Sequence, residues 1–334
     1  MRKVGIFGGT RFLGRRVLDD LAATPGIAVS VFNRGVSLPA KQLPRGVSFF
    51  RGDRENSADV YAYLNSDCGP FDAIVDFSGY TKQHFEAFNN FPDAELAHRI
   101  RSYLFISTSS VYALPPPIPV AESGSIVGPA NDYGFGKIQC EQILQGHANR
   151  SGMRAAALRV AGVFGPGTTT DVSIILEALL SAVPLVNSAR LLSRLSFISP
   201  ADLSGLVLAW IGQLKNSDAD DRFSVWNFAQ RDAVRAVDLI QVCANACGAT
   251  VVWTDGEGHD LRSWPASDLV LDTDRLAQTA LFAGLKFQPL SEIVRDVYVR
   301  LRRDRSFVTR IKKLALRKLA GVYVRCKHLL KAHV

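Results

Sequence analysis

The amino-acid sequence predicts an α/β fold, a doubly wound parallel sheet followed by a smaller C-terminal lobe. Short apolar runs alternate with amphipathic stretches through the first half of the chain, and a glycine-rich turn follows the first run. The apolar runs lack the polar alternation of half-exposed strands, which is typical of parallel strands that are buried on both faces. These observations together predict strands that alternate with helices on both faces of one sheet.

Each apolar run is predicted to be a strand, and each amphipathic stretch a helix. The strands of the first half are expected at Val4–Phe7, Ala28–Phe32, Val47–Phe50, Ala73–Asp76, Tyr103–Ser107 and Ala155–Val160. The helices of the first half are expected at Leu13–Ala23, Ser57–Leu64, Gln83–Phe91 and Gly136–Asn149. The later helices are expected at Val172–Ala182, Leu203–Leu214 with Asp202 as its N-cap, Ala236–Ala246 and Leu290–Arg303. The later strands are expected at Phe223–Phe228, which would rejoin the sheet, and at Thr250–Trp253.

The composition excludes several classes of protein. Of the 334 residues, 47% are hydrophobic and 21% are charged, as in a folded globular protein rather than a disordered one. The five cysteines are scattered, with no Cys-x-x-Cys pair and no Cys/His cluster, so we expect a reduced, cytoplasmic protein without a metal site. No continuous apolar stretch reaches the ~18 residues of a membrane span, and the apolar run after Met1 is too short for a secretory signal.

The first predicted strand runs directly into a glycine-rich turn that opens a helix. Glycines allow a tight turn and close approach to a pyrophosphate, and a helix N-terminus offers free N–H groups and a positive dipole end. Gly8 and Gly14 keep the six-residue spacing of a dinucleotide-binding turn, with Arg11 in place of the middle glycine. This context favours nucleotide binding over a plain tight turn. The predicted contacts of the turn are Gly8, Thr10, Arg11, Phe12, Leu13 and Gly14.

The end of the second predicted strand indicates which dinucleotide binds. NAD sites place a carboxylate on the ribose 2′-hydroxyl about 20 residues beyond the glycines. Asn33 and Arg34 stand there instead, which suits a 2′-phosphate, and Arg11 adds a second positive charge. We therefore expect NADP, with NAD as the second choice; the alternative is that both arginines are solvated surface residues. Asp53, at the end of the third strand, is placed to receive the adenine amino group.

Three residues around the fifth strand predict acid–base chemistry on an oxygen atom. Thr108 lies at the end of that strand in a run of hydroxyl side chains, and Lys137 follows Tyr133 by four residues, on the same helical face. A lysine ammonium beside a phenol is expected to lower the phenol pKa, which is about 10 in water. Tyr133 would then exchange a proton with a substrate oxygen held by Thr108, while hydride moves to or from a nicotinamide. Lys137 is also expected to contact the cofactor.

The chain resembles the extended short-chain dehydrogenase/reductases, the NAD-dependent epimerase/dehydratase family, over residues 4 to about 210. The matching segments are GGTRFLG (8–14), GDR (52–54), DFSGY (76–80), ISTSSVYA (106–113), YGFGK (133–137), LRVAGVFGPG (158–167) and SFISPADLSG (196–205). The resemblance implies a Rossmann dinucleotide-binding domain with a smaller substrate lobe, and hydride chemistry on nucleotide-linked hexoses. It also implies that Thr108, Tyr133 and Lys137 are catalytic and that Asp53 contacts adenine. The segments GDR and DFSGY add Arg54, Phe77 and Ser78 to the predicted cofactor contacts.

Departures from the family's patterns narrow the predicted reaction. Ser109 and Ser110 stand where dehydratases carry an Asp-Glu pair, so dehydration is not expected. Gly162 and Leu195 replace an Asn and an Arg of many UDP-sugar epimerases, with Arg194 one residue early. Because Asn33 and Arg34 indicate NADP, and a released NADPH fits net reduction, we predict a 4-ketoreductase, with an NAD-dependent nucleotide-sugar 4-epimerase as the alternative. A non-catalytic RNA- or protein-binding module on the same fold is the alternative of another class, and the intact catalytic residues argue against it. The candidate substrate contacts are Ser109, Ser110, Glu122 and Arg194.

The net charge of +8 resides in a basic C-terminal tail. Residues 300–334 hold 12 Lys+Arg and one acid, and their apolar side chains fall on one face of a predicted amphipathic helix. Three alternatives stay open: a helix packed on the body or on a partner subunit, a helix on an anionic membrane surface, and an RNA-binding or disordered tail.

The sequence predicts three regions. A dinucleotide-binding domain is expected at 1–166, with its sheet completed by 196–230. A substrate-binding lobe is expected at 167–195 and 231–304, and the basic tail at 305–334. We expect a homodimer that acts on a nucleotide sugar in the cytoplasm, at the inner face of the membrane if the tail binds lipid, without a nucleic-acid partner.

Overall fold

The computed structural model describes residues 1–36, 42–166, 171–214 and 222–304. The strands are β1 Arg2–Phe7, β2 Ile27–Asn33, β3 Ser48–Arg51, β4 Ala73–Asp76, β5 Ser102–Thr108, β6 Arg154–Val160, β7 Gly162–Val163, β8 Leu185–Val186, β9 Arg194–Leu195, β10 Phe197–Ile198, β11 Phe223–Phe228, β12 Val234–Arg235 and β13 Trp253–Thr254. The α-helices are α1 Phe12–Ala23, α2 Ser57–Leu64, α3 Gln83–Glu86, α4 Asp93–Arg99, α5 Asp132–Ser151, α6 Asp171–Leu180, α7 Pro200–Gln213, α8 Ala236–Cys247, α9 Asp274–Ala277, α10 Ala280–Ala283 and α11 Leu290–Arg303. Short 3₁₀ helices occur at Ala87–Asn90, Ser109–Val111 and Ala189–Leu192.

Among the described residues, seven strands form one parallel sheet. Its order is β3-β2-β1-β4-β5-β6-β11, and every neighbouring pair runs parallel. After β3, at one edge, the chain crosses to the far side of β1 and adds β4, so the strand order reverses between β1 and β4. Ligands of doubly wound sheets bind at the carboxyl ends of the strands beside such a reversal. The predicted fold class is confirmed.

Different side chains cover the two faces of the sheet. On one face α1 packs against α7, and Val17, Leu18 and Leu203 lie in a fully buried aliphatic cluster. On the other face the buried cluster is largely aromatic. Its fully buried rings include Phe7, Phe32, Tyr63, Phe71, Phe85, Phe88, Tyr103 and Phe105. Because both faces are covered, the strands have apolar residues at consecutive positions, as the sequence shows.

The chain forms two compact units. The first holds residues 1–163, 196–233 and 268–287, and the second holds 164–195, 234–267 and the described residues from 288 onwards. In the second unit α8 packs against α6 and α11, β8 pairs with β13, and β9 pairs with β12.

The segment 268–287 differs from the predicted division, which assigned it to the substrate lobe. Its side chains Leu276, Leu281 and Phe282 are buried in the aliphatic cluster of the first unit. Its backbone also forms a bridge, Val120 with Leu271, within that unit. Burial of these apolar side chains ties the segment to the sheet.

The predicted helix Gln83–Phe91 is divided in the structure. It forms α3 and the 3₁₀ helix Ala87–Asn90, and the unpredicted α4 follows Pro92. The sequence does carry signs of α4, because Asp93 and Glu95 lie in its first turn and basic residues lie in its last.

The start of α7 also differs from the prediction, which made Asp202 its N-cap. The N-cap is Ser199, whose hydroxyl accepts a hydrogen bond from the Asp202 backbone N–H at 3.1 Å. The Asp202 carboxylate accepts from the Ser199 backbone N–H at 2.7 Å, which completes a capping box, and Pro200 occupies the first helical position.

No helix within the described ranges is both long enough and apolar enough to cross a bilayer. The predicted tail helix, residues 305–334, lies outside the described residues.

Candidate active site

The glycine turn after β1 fits the diphosphate of a dinucleotide. Gly8 and Gly9 have φ angles of 88° and 77°, in the left-handed region that favours glycine. A Cβ atom on Gly14 would lie 2.6 Å from Gly9 Cα, so a side chain does not fit between the turn and α1. The N-cap residue, Arg11, makes no side-chain capping bond, and the first turn of α1 contains no acid. The positive end of the helix is therefore left for an anionic ligand.

A cleft of about 550 Å³ opens where β1, β2, β3 and β4 end. Predicted cofactor contacts that line it are Gly8, Thr10, Arg11, Asn33, Arg34, Asp53, Arg54, Phe77 and Ser78. Other predicted contacts lie beside it without lining it: Phe12, Leu13, Gly14 and Lys137. Residues that line it and that the sequence analysis missed include Glu55, Tyr80, Thr81 and His84.

The mouth of the cleft carries an exposed ion pair at the ends of β2 and β3. Arg34 Nη1 lies 4.0 Å from Asp53 Oδ2, and 68% of the Arg34 side chain is exposed. Asn33 accepts a hydrogen bond from the Gly35 backbone N–H at 2.7 Å, which fixes the turn after β2. The cation expected to meet a 2′-phosphate is therefore paired with a carboxylate.

Arg54 and Asp76 form a buried ion pair beneath the cleft. Arg54 Nη1 donates to Asp76 Oδ1 at 2.6 Å, and the guanidinium lies over the Phe7 ring, 4.4 Å from its centroid. Asp76 Oδ1 also accepts from the backbone N–H groups of Ser78 and Gly79, at 2.8 and 3.0 Å. The guanidinium of Arg54 thus helps to hold the segment after β4, and its contact with a cofactor stays a prediction.

The three predicted catalytic side chains meet at the end of β5. Tyr133 and Lys137 lie in the first two turns of α5, which begins after the N-cap Asn131. Tyr133 is 49% exposed and is hydrogen-bonded with Thr108. Lys137 is 3% exposed, and its Nζ donates to the Ile106 backbone oxygen at 2.9 Å. The structure therefore brings the three side chains together.

The pKa of Tyr133 shifts upward, whereas the sequence predicted a shift downward. Burial raises this pKa, and the hydrogen bond with Thr108 only opposes the rise. Burial also lowers the pKa of Lys137, to about 8. The Lys137 ammonium is directed at the Ile106 carbonyl and lies 6.0 Å from the Tyr133 ring centroid, so its charge does not offset the effect of burial on the Tyr133 pKa.

Two glycines in the segment YGFGK allow α5 to approach its neighbours closely. A Cβ atom on Gly134 would collide with the Ser110 backbone oxygen, and one on Gly136 would lie 2.5 Å from the Tyr80 backbone oxygen. The first turn of the helix therefore sits directly against the loops after β4 and β5. No role was predicted for these glycines from the sequence, although their positions inside the Tyr-x-x-x-Lys segment were the available signal.

The candidate substrate contacts occupy different surroundings. Ser109 is buried, whereas Ser110 is exposed and accepts a hydrogen bond from Thr108 Oγ1 at 3.3 Å. Glu122 Oε1 accepts from the Asn227 backbone N–H at 2.7 Å, so its carboxylate joins its loop to β11. Arg194 lies exposed on β9, in the second unit. Their contacts with substrate remain predictions.

This arrangement suits proton transfer coupled to hydride transfer at a carbinol carbon. A half-exposed phenol and a hydroxyl stand together beside a buried ammonium, at the edge of the sheet that carries the dinucleotide cleft. No group of three or more His, Cys, Asp and Glu side chains within the described ranges is arranged to hold a metal ion.

The chain is similar to proteins of a known family. The profile of the NAD dependent epimerase/dehydratase family matches residues 4–249. The UDP-glucose 4-epimerase of Azospirillum brasilense is 25% identical over 176 residues, which cover 49% of this chain and 49% of that protein. The chain thus spans about half the length of this curated relative.

Two solved structures show the same fold. The UDP-Glc/GlcNAc 4-epimerase from Campylobacter jejuni has a TM-score of 0.72 at 18% identity, over 91% of this chain and 100% of that one. The enzyme WbmH of Bordetella bronchiseptica, in complex with NAD⁺, has a TM-score of 0.70 at 19% identity, over 91% and 99%. Because the family profile covers more than half of its length, this chain belongs to the NAD dependent epimerase/dehydratase family.

Proposed function

We propose that this chain is an NAD-dependent 4-epimerase that acts on a UDP-linked hexose. The observation that carries the proposal is the meeting of Thr108, Tyr133 and Lys137 beside a cleft that fits a dinucleotide. The UDP-glucose 4-epimerase relative supports the substrate class. Epimerisation is the reaction predicted from the sequence as the alternative to 4-ketoreduction.

Epimerisation at a carbinol carbon requires a proton and a hydride to leave and then to return with the opposite configuration. Tyr133 accepts the hydroxyl proton as the carbinol is oxidised and donates it back as the ketone is reduced. Thr108 hydrogen-bonds to the same oxygen and orients it. Before it accepts this proton Tyr133 is a phenolate, while the proton is on the substrate oxygen, and the nearby positive charge of Lys137 favours that form. The bound dinucleotide supplies the hydride acceptor and donor.

The ion pair at the mouth of the cleft supports NAD over NADP. A 2′-phosphate at this point would meet the carboxylate of Asp53 as well as the guanidinium of Arg34, which lies only 4.0 Å away. A 2′-hydroxyl is neutral and meets no such repulsion, so it leaves the predicted contact of Asp53 with the adenine amino group undisturbed. The description of the family to which the chain belongs specifies NAD, and the structure of WbmH is a complex with NAD⁺.

A 4-ketoreductase that uses NADPH is the second candidate, and the cations at the cleft mouth favour it. The Arg34 side chain is largely exposed, and Arg11 is exposed at the glycine turn that lines the same cleft. Two arginines within one cleft are suited to a 2′-phosphate. This candidate predicts stoichiometric consumption of NADPH, whereas the epimerase returns its cofactor unchanged.

Incubation of the protein with NAD⁺ and either UDP-glucose or UDP-galactose separates the two candidates. Anomeric proton NMR is expected to show each sugar nucleotide converting to the same mixture of both, with no net reduction of NAD⁺. Consumption of NADPH by a nucleotide 4-ketohexose, without conversion of either UDP-hexose, would establish the reductase instead. Failure of all these reactions would contradict both candidates.

We infer from the sequence that residues 305–334 bring the enzyme to an anionic membrane surface, on the cytoplasmic side. The membrane proposal rests on the excess of Lys and Arg in the tail and on its apolar stripe. Nucleotide sugars serve glycosyl transfer to lipid-linked acceptors, and a surface-bound enzyme would release its product where such acceptors lie.

A further inference from the structure

Tyr80 lies between the dinucleotide cleft and the catalytic helix. It lines the cleft and is 50% exposed, and its ring centroid lies 6.3 Å from that of Tyr133. Lys137 Nζ lies 4.6 Å from the centroid of the Tyr80 ring and 4.7 Å from that of Phe105. The ammonium is therefore placed against two aromatic rings while it donates to the Ile106 carbonyl.

The backbone holds Tyr80 in this position from three directions. Its N–H donates to His84 Nδ1 at 3.0 Å. The carboxylate of Asp76 accepts from the N–H groups just before it in the chain. Its carbonyl faces Gly136 on α5, where there is no room for a Cβ atom. The backbone of Tyr80 is consequently held against the helix that carries both Tyr133 and Lys137.

We propose that Tyr80 is a positioning residue for the catalytic pair: its ring holds the Lys137 ammonium, in its charged form, against β5 and beside Tyr133. Through Lys137, Tyr80 sets the alkaline limit of activity. The link to turnover rests on the proposed epimerase function, whereas the effect on Lys137 itself does not.

The physical basis is the attraction between a cation and the face of an aromatic ring, which is strongest where water is excluded. Lys137 is almost fully buried, and burial lowers its pKa to about 8. Other charged and titratable groups also act on Lys137: Asp76, Cys140 and Glu141 raise its pKa, and Arg54 lowers it. Burial raises the pKa of Tyr80, so its ring stays neutral while Lys137 titrates. The neutral ring therefore adds stabilisation of the ammonium that none of those charges supplies.

Substitution of Tyr80 by leucine and by phenylalanine tests the proposal. Leucine keeps apolar bulk over the ammonium and removes the aromatic face, whereas phenylalanine keeps the face and removes only the hydroxyl. Tyr80→Met provides a second non-aromatic side chain of similar reach if the leucine variant is poorly folded. Tyr61→Leu is the matched control, because Tyr61 is also half-exposed on the same unit but stacks on Phe91 instead.

The first readout is the NMR titration of Lys137 in protein labelled with ¹³C at the lysine Cε, assigned with Lys137→Met. We expect the titration midpoint to fall by about half a pH unit or more in Tyr80→Leu and Tyr80→Met. It should stay at the wild-type value in Tyr80→Phe and in Tyr61→Leu. A midpoint in the leucine and methionine variants that matches the Tyr61 control would overturn the proposal. Equal falls for leucine and phenylalanine would overturn it too, because the hydroxyl would then carry the effect.

The second readout is the pH profile of UDP-hexose epimerisation. In Tyr80→Leu the alkaline limb of kcat should move to lower pH by the same amount, while KM for the sugar nucleotide changes less than about twofold. Tyr80→Phe should restore the wild-type limb. If the wild-type protein converts no UDP-hexose, the proposed function fails, and the NMR titration still decides the role of Tyr80.

Discussion

Lys137 is buried and carries a positive charge near neutral pH. The burial of this charge lowers the stability of the fold. Its pKa falls from 10.5 to about 8 on burial. Below pH 8 the folded chain must therefore keep an ammonium out of water, whereas above pH 10.5 the side chain is neutral in both states. The fold gains stability between these values, because there only the unfolded chain holds the proton.

Lys137→Met is expected to be more stable and less active than the wild type. The gain at pH 7 should be about 2 kcal/mol, once the lost hydrogen bond to Ile106 is subtracted. It should fall as the pH rises from 8 and reverse before pH 10.5, because the wild type regains about 3 kcal/mol over this range and keeps the hydrogen bond. Urea unfolding of both proteins at pH 7 and pH 10.5 measures this difference. A variant that is less stable at pH 7, or whose advantage grows above pH 8, would contradict the assignment.

Arg34 and Asp53 are expected to set the choice of dinucleotide. Asp53→Asn should weaken NAD⁺ binding by about 10-fold, the effect of losing a hydrogen bond to a charged group, and should strengthen NADP⁺ binding. Arg34→Ala should change NAD⁺ affinity by less than about threefold and weaken NADP⁺ further. Calorimetric titration with both dinucleotides gives the four constants. If the wild-type protein prefers NADP⁺, the 4-ketoreductase is favoured over the epimerase.

The sequence could indicate the three candidate catalytic side chains but not all of their surroundings. Thr108, Tyr133 and Lys137 were recognisable because a strand end and a four-residue helical spacing are local features. The pairing of Arg54 with Asp76 was not, because it depends on which strand ends lie next to each other in the sheet. The direction of the Tyr133 pKa was also out of reach, since it depends on where the buried ammonium points.

At the level of elements, the position of α5 depends on its glycines. Gly136→Ala replaces a poor helix former by the best one, yet its Cβ atom would lie 2.5 Å from the Tyr80 carbonyl oxygen. We expect this variant to lose stability and to lower kcat by about 10-fold or more, because α5 and the loop after β4 must separate.

Gly146→Ala, on the same helix, is the matched control. Its Cβ atom would meet only the end of the flexible Arg150 side chain, at 3.3 Å. It should therefore stabilise the protein by about 0.5–1 kcal/mol, the usual gain in helix propensity, without changing kcat. Thermal unfolding and steady-state rates measure both variants. Equal effects of the two substitutions would show that the close approach of α5 to the loop after β4 does not matter.

The strands of the main sheet could be predicted to within a residue or two, because buried parallel strands appear as bounded apolar runs. The segment Gln83–Phe91 could not, because its apolar spacing fits a helix while Pro92 disfavours helical backbone at Phe91. The turn of 3₁₀ helix there reflects that conflict. Apolar periodicity alone does not reveal such breaks.

At the scale of the whole molecule, apolar residues do not state which unit will bury them. Leu276, Leu281 and Phe282 were expected in the substrate lobe because they come late in the chain, yet they complete the aliphatic core of the first unit. Without the segment 268–287, the seven strands and their helices would leave that core exposed. Only the tertiary structure shows that the chain returns to it.

The charge distribution of the whole chain predicts membrane association. Residues 300–334 carry 12 Lys and Arg with a single acid, and each cation near an anionic bilayer contributes about 1 kcal/mol. We expect the protein to sediment with anionic but not neutral vesicles at low salt, and to be released by high salt. Deletion of residues 306–334 should abolish binding and leave turnover of soluble substrate intact. Intact protein that stays in the supernatant with anionic vesicles would refute this role.

The fate of a deuterium label at carbon 4 of UDP-glucose tests most directly whether this chain is a 4-epimerase. With NAD⁺ and the wild-type protein, UDP-galactose is expected to appear with the deuterium retained at carbon 4, because the hydride that leaves is the one that returns. Tyr133→Phe should form it at least about 10²-fold more slowly, with little change in NAD⁺ affinity. UDP-galactose that has lost the label to solvent, or the absence of UDP-galactose, would contradict the account.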